Sequence, residues 1–338
     1  MKKIAILGAG SWGTALSIVF SRSKQSHEIA LWVHSEALAE VMRERHENST
    51  YLPGILLPHE VRVSSDLARV LAGADIVIGA MPSAHSRSVY ALASRFFGND
   101  TVFISATKGL EPATHMRMSK VLAQVLLQAS REALAERIAV LSGPSFAAEA
   151  ARGEPTAVVL AAADAALAEQ LQEELAGPRF RLYTNDDMLG VELAGAMKNV
   201  MAIAAGACQG LGYGMNSLAA LVTRGLAEMT RLAAAVGARG STLSGLAGLG
   251  DLVLTCTGTL SRNKYVGEQL GKGKRLSETL TGMRMVAEGV DTVKPLLAVA
   301  GEYKIELPIT EQVEAMLYRG KSPKEAVRDI MERPLKRE

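Results

Sequence analysis

The first twenty residues constrain the fold more than any other part of the chain. KKIAIL is typical of a short buried strand, GAGSWG follows it at once, and TALSIVFSRS continues with helical spacing. This order of strand, glycine turn and helix is the one that a dinucleotide-binding unit requires. In such a unit Gly8 permits the tight turn, Gly10 lets backbone approach a pyrophosphate, and Gly13 lets the helix pack on the strand. We therefore expect phosphates to bind at the helix N-terminus, with a plain glycine-rich turn as the alternative.

The same segment could pass for a secretory signal, because a basic start, Met1 to Lys3, precedes an apolar run. Three glycines interrupt that run, and no small-residue cleavage site follows it before SRSKQ. No other segment reaches the roughly 18 uninterrupted apolar residues that a membrane span needs. We therefore expect no signal peptide and no membrane insertion.

A second strand, HEIALWVH, ends near Val33 and His34. A site specific for NAD usually places an acidic residue there, on the ribose hydroxyls. None is present, and Glu28 lies at the opposite end of the strand. The sequence therefore favours NADP(H), or the use of both cofactors, over strict use of NAD(H). His34 is the polar side chain available at this position, either as a cofactor contact or as a solvated residue.

Further strands alternate with helical segments up to residue 187. They are predicted in ADIVIGAMPS, TVFISATKGLE, RIAVLSGPSFAAEAARG, TAVVLAA and RFRLYTNDD. Such alternation predicts an α/β domain over residues 1–187, with a Rossmann-like doubly wound parallel sheet. Ligands bind at the carboxyl ends of the strands in these sheets, which places Lys108, Gly143 and Ser145 at one rim. For Lys108 an ordinary solvated loop lysine is the alternative.

The strand pattern ends at Asp187, and alanine, glycine and leucine at helical spacing predict an all-α domain over residues 188–338. The formal net charge of +2 is too small to argue for a nucleic-acid surface, so an anionic partner must be met by local positive charge. Two cysteines, Cys208 and Cys256, are too few for a disulfide framework and suit a reducing compartment. We expect a cytoplasmic protein with no nucleic-acid partner.

Two features of the second half suggest chemistry. Lys198 lies in VELAGAMKNVMAIAAGACQGLGYG, where no residue three or four positions away along a helix is a carboxylate. It either extends to water or has a function, and without a paired carboxylate its pKa should be lowered. Ser261-Arg262-Asn263 follows a glycine- and hydroxyl-rich loop at a predicted helix start. The cluster suits a phosphate dianion, with a capped helix as the alternative.

Eight motifs, in this order and spacing, together resemble the NAD(P)-dependent glycerol-3-phosphate dehydrogenases of the bacterial single-chain type. The motifs are GAGSWGTAL, ATKGLE, SGPSFAAE, GAMKNVMAIAAG, TRGLAEM, GLGDLVLTCT, SRN and VAEGV. The resemblance runs from Lys3 to about Gly320. It implies interconversion of sn-glycerol 3-phosphate and dihydroxyacetone phosphate with NADP(H) or NAD(H), for glycerophospholipid synthesis. It also implies a helical domain like the C-terminal domain of 6-phosphogluconate dehydrogenase, and the apolar helical faces favour a homodimer.

The resemblance assigns roles to individual residues. Lys198 matches the family's catalytic lysine, the proton acceptor in alcohol oxidation and the donor in ketone reduction, while Lys108 matches the second lysine, which stabilises charge on the oxygen. The implied cofactor contacts are Gly8, Gly10, Ser11, Trp12, Gly13, His34, Lys108, Ala147, Arg262, Val286 and Glu288. The implied substrate contacts are Lys108, Gly143, Ser145, Lys198, Asp251, Ser261, Arg262 and Asn263. Asp251 would either anchor the substrate or hold Lys198, and no metal is implied.

One departure from the family pattern is Leu218, at a peripheral position where a more polar or basic residue is expected.

Two other functions are compatible with the general plan. One is another two-domain dehydrogenase acting on a hydroxy acid or sugar acid, against which the SRN and GLGDLVLTCT segments argue. The other is a non-catalytic nucleotide or redox sensor, which would need neither lysine and usually carries a basic DNA-reading module.

Overall fold

The computed structural model describes residues 1–283, 285–335 and 337. The chain divides into two compact units. One comprises Met1–Glu111 with Met116–Glu192, and the other comprises Pro112–His115 with Leu193–Glu338. The boundary predicted from the sequence, between residues 187 and 188, lies at the start of the long helix Met188–Gly210.

The first unit is built on a sheet that has eight strands within the described residues. The strands are β1 (Lys2–Leu7), β2 (His27–Trp32), β3 (Arg62–Ser64), β4 (Ile76–Gly79), β5 (Val102–Ser105), β6 (Ile138–Ser142), β7 (Thr156–Ala162) and β8 (Phe180–Asn185). Their order is β3-β2-β1-β4-β5-β6-β7-β8. Neighbouring strands are parallel, as predicted, except that β7 runs antiparallel to β6, with Leu160 opposite Leu141. An apolar sequence along the whole strand indicates that the strand is buried, but it does not indicate whether the strand runs parallel or antiparallel to its neighbour.

Helices accompany these strands in the first unit. They are α1 (Ser11–Ser21), α2 (Glu36–Arg45), α3 (Leu67–Leu71), α4 (Ser83–Ala93), α5 (Met118–Gln128), α6 (Ala147–Arg152) and α7 (Ala165–Leu175), with 3-10 turns at Ser94–Phe96 and Glu132–Glu136. Side chains of β1 alternate between two cores, because successive strand residues point to opposite faces. Ile4 and Ile6 pack with Phe20 of α1. Ala5 and Leu7 belong to the core that holds Tyr90 of α4. Both faces of the sheet are therefore covered, as the predicted fold class requires.

The second unit is helical throughout its described residues, which confirms the predicted all-α domain. Its helices are α8 (Met188–Gly210, whose first five residues belong to the first unit), α9 (Met215–Ala235), α10 (Gly240–Leu243), α11 (Asp251–Thr257), α12 (Arg262–Gly271), α13 (Leu276–Thr281), α14 (Glu288–Glu302), α15 (Pro308–Tyr318) and α16 (Pro323–Met331). A π-helical turn, Leu246–Gly250, leads directly into α11.

Helices α8 and α12 touch through their backbones. A Cβ added at Gly206 of α8 would lie 1.9 Å from the carbonyl oxygen of Lys264, and one at Gly267 of α12 would lie 1.9 Å from the carbonyl oxygen of Ile203. Only glycine permits this approach at either position. By length and composition α8 could cross a membrane, but 89% of its most apolar window is buried in the fold. Core helices pass the same test.

Candidate active site

The glycine turn between β1 and α1 has the geometry of a phosphate cradle. Gly8 has a φ of +111°, and a Cβ there would lie 2.9 Å from the backbone nitrogen of Met81. A Cβ at Gly13 would lie 1.9 Å from the carbonyl oxygen of Gly8. Gly10 is the N-cap of α1 and provides no side-chain cap, and a Cβ there would meet nothing within 4 Å. The first N–H groups of α1 therefore adjoin open space, where an anion is favoured.

Residues beside the turn hold it in place, and sequence reasoning missed the main one. The amide nitrogen of Asn48, which is fully buried, donates to the carbonyl oxygen of Ala9 at 2.8 Å and to the hydroxyl of Thr14 at 2.8 Å. Ser11 donates to the carbonyl oxygen of Tyr51 at 2.7 Å. Asn48 lies far along the chain from the turn and in no recognisable motif, so only the folded chain reveals it.

The indole N–H of Trp12 is buried and has no hydrogen-bond acceptor among the residues that the structure describes. An orphaned buried donor is costly, so its presence beside the open cradle fits a bound ligand that supplies an acceptor. The residues of the turn therefore fit a dinucleotide.

The far end of β2 lacks the acidic residue typical of strict NAD sites, as predicted. His34 is exposed there, with its ring 5.8 Å from that of Trp32. The nearest acidic residue along the chain, Glu36, lies in the first turn of α2, and its Oε1 accepts from Nη2 of Arg43 at 2.6 Å. Hydrogen bonds from Ser65 and then Arg43 hold the pKa of Glu36 below its ordinary value. Glu36 is thus an ionised group already paired with a cation.

Lys108, Gly143 and Ser145 lie together at the carboxyl ends of β5 and β6, as the sequence predicts. Nζ of Lys108 donates to the carbonyl oxygen of Gly143 at 2.8 Å and to the hydroxyl of Ser145 at 3.4 Å. Gly143 has a φ of +137°, and a Cβ there would lie 3.0 Å from Cα of Val158. Its conformation turns its carbonyl oxygen to the lysine, which is half-buried.

Lys198 has a carboxylate partner, so the expectation of an unpaired lysine is wrong. Its Nζ donates to Oδ1 of Asp251 at 2.8 Å and to the hydroxyl of Thr255 at 2.8 Å. Lys198 is 7% exposed, Asp251 1% and Thr255 3%. The argument for a lowered pKa therefore loses its premise, because an adjacent carboxylate favours the charged ammonium.

The partner of Lys198 comes from another helix, which explains why the helical neighbours on α8 did not reveal it. Asp251 is the first residue of α11, directly after the π-helical turn. Within that turn a Cβ at Gly248 would lie 2.0 Å from the carbonyl oxygen of Leu243, so only glycine fits. The GLGD segment thus brings a carboxylate to Lys198 across 53 residues of chain.

The SRN cluster lies at the start of α12, as predicted, and its three members differ in what they do. Ser261 caps the helix by accepting from the backbone N–H of Lys264 at 3.2 Å. The amide of Asn263 donates to Oδ1 of Asn199 at 2.9 Å and accepts from the N–H of Gly289 at 2.9 Å. The capped-helix interpretation is therefore correct for Ser261, and Asn263 joins three helices.

Arg262 is the member of the cluster whose donors are available. Its guanidinium forms no hydrogen bond with any residue that the structure describes, although the residue is partly buried. Burial lowers the pKa of Arg262, and the nearby carboxylate of Glu288 opposes that effect. A guanidinium in this condition is suited to bind an anion.

The other predicted cofactor contacts lie at the starts of helices or on loops. Ala147 begins α6 and Glu288 begins α14. Val286 lies two residues before α14 and is 39% exposed. Thr255 and Asn199 were not predicted as site residues. Thr255 lies one helical turn after Asp251, and Asn199 follows Lys198 directly. This spacing from predicted site residues is the signal that could have found them.

Comparison with known proteins gives full-length matches. The family model for the N-terminus of NAD-dependent glycerol-3-phosphate dehydrogenase matches residues 3–168, and the model for its C-terminus matches residues 187–328. The NAD(P)+ glycerol-3-phosphate dehydrogenase of Koribacter versatilis is 49% identical over 335 residues, which cover 99% of this chain and 98% of the relative. That of Acidobacterium capsulatum is 49% identical over 338 residues, with 99% of each chain covered.

A solved structure agrees with this result. The crystal structure of glycerol-3-phosphate dehydrogenase from Coxiella burnetii has a TM-score of 0.91 and 40% sequence identity, and the match covers 98% of this chain and 99% of that chain.

Proposed function

This chain belongs to the NAD-dependent glycerol-3-phosphate dehydrogenase family and interconverts sn-glycerol 3-phosphate and dihydroxyacetone phosphate, and we propose that Lys198 is the acid–base group of that reaction. The buried pair of Lys198 with Asp251 is the observation that carries the proposal. A buried charge pair is a costly arrangement, and it is seldom retained without a structural or functional role.

Lys198 acts on the oxygen at C2 of the substrate. Asp251 and Thr255 fix the position of its Nζ, and the carboxylate favours the ammonium form. In ketone reduction Lys198 donates a proton to the C2 oxygen, and in alcohol oxidation its amine accepts that proton. When bound, the nicotinamide supplies or accepts the hydride at C2.

The family resemblance gives Lys108 the role of stabilising charge on the substrate oxygen. Its ammonium is held by the carbonyl oxygen of Gly143 and lies near the Ser145 hydroxyl. A fixed positive charge stabilises the negative charge that develops on the oxygen, and it does so without reorganisation during the reaction. Gly143 and Ser145 therefore contribute by orienting Lys108 as well as by contacting the substrate.

The substrate phosphate binds at the start of α12. Arg262 provides the charge-assisted hydrogen bonds, and the N-terminus of this ten-residue helix provides a positive dipole end. Ser261 contributes its backbone while its hydroxyl caps the helix. The side-chain nitrogen of Asn263 carries two hydrogens. Its hydrogen bond to Asn199 uses one of them, and the other is left for the phosphate.

The turn of Gly8, Gly10 and Gly13 would hold the dinucleotide, with the first N–H groups of α1 available to its pyrophosphate. Ser11, Trp12 and His34 adjoin this turn or the end of β2, and the family resemblance adds Ala147, Val286 and Glu288 as cofactor contacts. The chain uses NAD(H) or NADP(H). The absence of an acidic residue at the end of β2 supports acceptance of the 2′-phosphate.

In the cell the enzyme supplies glycerol 3-phosphate for glycerophospholipid synthesis. We propose that it works in the cytoplasm as a homodimer, without membrane insertion and without nucleic acid. The chain has two cysteines, Cys208 and Cys256, which are too few for a disulfide framework, and this supports a reducing compartment. The alanine-rich helical faces of the second unit support self-association.

The test is oxidation of NADPH and of NADH by the purified protein with dihydroxyacetone phosphate, followed by the absorbance of the reduced nicotinamide. Dihydroxyacetone without phosphate is the control substrate. Turnover that requires the phosphate is expected, and the two rates give the cofactor preference. Equal turnover of the control substrate would overturn the assignment of Arg262 and α12 to the phosphate.

A further inference from the structure

The loop that carries Lys108 is fastened to the fold on both sides of the lysine. Before it, the hydroxyl of Thr107 donates to the carbonyl oxygen of Met81 at 2.7 Å. After it, the carboxylate of Glu111 is bound by Arg87, a residue of α4. The two fastenings limit the positions that the backbone of Lys108 can reach.

The contact of Arg87 with Glu111 is a bidentate pair. Nε of Arg87 lies 2.8 Å from Oε1 of Glu111, and Nη2 lies 2.7 Å from Oε2. The side chain of Glu111 is 8% exposed and that of Arg87 29%. The hydrogen bond to Glu111 raises the pKa of Arg87 above its ordinary value. Such a fork fixes direction as well as distance, because two parallel N–H groups engage two oxygens.

The backbone of Glu111 and the helix that carries Arg87 are both tied into the fold. Its backbone N–H donates to the carbonyl oxygen of Met116 at 2.8 Å, which closes the turn that follows the loop. Arg87 projects from the middle of α4, whose face packs in the core through Val89 and Tyr90. The carboxylate is therefore held by a side chain on a helix that packs in the core, outside the loop.

We propose that Arg87 and Glu111 are positioning residues that set the location of the Lys108 ammonium. Glu111 follows Lys108 by three residues, roughly 10 Å of extended chain at most, so a shift of Glu111 reaches the lysine with little attenuation. This inference rests on the proposed function of Lys108. Misplacing a charge-stabilising group by about 1 Å costs up to about 100-fold in rate.

The experiment compares Arg87→Met, Glu111→Gln and Arg87→Lys with Val89→Ala. The last variant removes methyl groups from the buried face of the same helix and leaves the fork intact, so it controls for lost stability. We expect Arg87→Met and Glu111→Gln to lower kcat about 10- to 100-fold. Arg87→Lys keeps one charged contact, so its kcat should lie between that of these two variants and that of the wild type. Loss of kcat by Val89→Ala equal to that of Arg87→Met, at equal thermal stability, would overturn the inference.

A double-mutant cycle with Lys108→Ala tests whether the pair acts through the lysine. In the Lys108→Ala background, Arg87→Met should lower the residual kcat by less than about twofold, because residues acting as a unit are non-additive. Multiplying effects would overturn the inference. Full turnover by Lys108→Ala alone would instead overturn the proposed role of Lys108. If Arg87→Met does not fold, the cycle is run with Glu111→Gln, which preserves shape.

Discussion

Replacing Lys198 should lower both the free energy of unfolding and the rate of turnover. The two effects have separate causes and can be measured separately. Lys198→Ala leaves the carboxylate of Asp251, which is 1% exposed, without its ammonium partner. Removing one member of a buried ion pair typically costs about 3–5 kcal/mol of the free energy of unfolding. That is a large share of the about 5–15 kcal/mol that stabilises most native proteins.

The double variant Lys198→Ala with Asp251→Asn should recover part of that loss. The remaining cost is that of missing hydrogen bonds around a neutral amide, about 1–3 kcal/mol. Catalysis should not recover, because a general acid–base group contributes about 100- to 10,000-fold in rate and neither variant has one. Stability thus separates the two variants, and turnover does not.

The assay is urea unfolding followed by the circular dichroism of the helices. Tryptophan fluorescence is unsuitable, because Trp12 and Trp32 both lie in the first unit. Turnover is measured with dihydroxyacetone phosphate and NADPH under the same buffer conditions. More than a few per cent of wild-type turnover in the double variant would refute Lys198 as the acid–base group. Equal unfolding free energies for the two variants would refute the argument from the buried pair.

Three further substitutions or treatments probe the rest of the site. Arg262→Ala should raise the KM for glycerol 3-phosphate more than about tenfold, since a charge-assisted hydrogen bond is worth about 1.5–3 kcal/mol; an equal rise with the exposed control Arg319→Ala would contradict this. Gly10→Ala should weaken NADPH binding in calorimetry and leave the melting temperature unchanged, because its Cβ meets no protein atom within 4 Å. Gly13→Ala should lower the melting temperature as well, because its Cβ would lie 1.9 Å from the carbonyl oxygen of Gly8. Burial raises the pKa of Cys256 to about 12, so its thiol stays protonated and should resist iodoacetamide at pH 8 in the folded protein; mass spectrometry should find it alkylated only after denaturation in urea.

Local patterns predicted the elements of the fold well, because strand and helix periodicities and the glycine turn are properties of adjacent residues. The turn at Gly8, every strand from β1 to β8 except β3, and the start of α12 follow from such patterns. The reversed direction of β7 does not, because an apolar run fits either direction. Strand β3 has three residues, none of them buried, and gives no periodic signal.

The contacts of the site depend on pairs that are distant in the sequence, and the sequence predicted them only in part: Lys108 with Gly143 and Ser145 was predicted, and Asp251 with Lys198 was one of two alternatives. Asp251 reaches Lys198 because a π-helical turn of glycines precedes α11, and no local rule signals such a turn. Asn48 braces the glycine turn from a segment without periodicity. Motif resemblance identified Asp251 but left open whether it contacts the substrate or holds Lys198, and the structure shows the contact with Lys198.

The glycine contact between α8 and α12 has a consequence for which alcohols the enzyme accepts. Lys198 lies on one of these helices and Arg262 on the other, and the backbones meet with no side chain between them. The distance between the Cα atoms of Lys198, the proposed acid–base group, and Arg262, the proposed phosphate anchor, is therefore set by main chain, and hydrogen bonds to Asp251 and Thr255 hold the Lys198 side chain. We therefore expect the enzyme to favour a substrate in which the distance from the C2 oxygen to the phosphate matches this separation. We expect a homologue with one additional methylene between the oxidised carbon and the phosphate to bind through its phosphate and to react slowly, which competition and turnover assays would show.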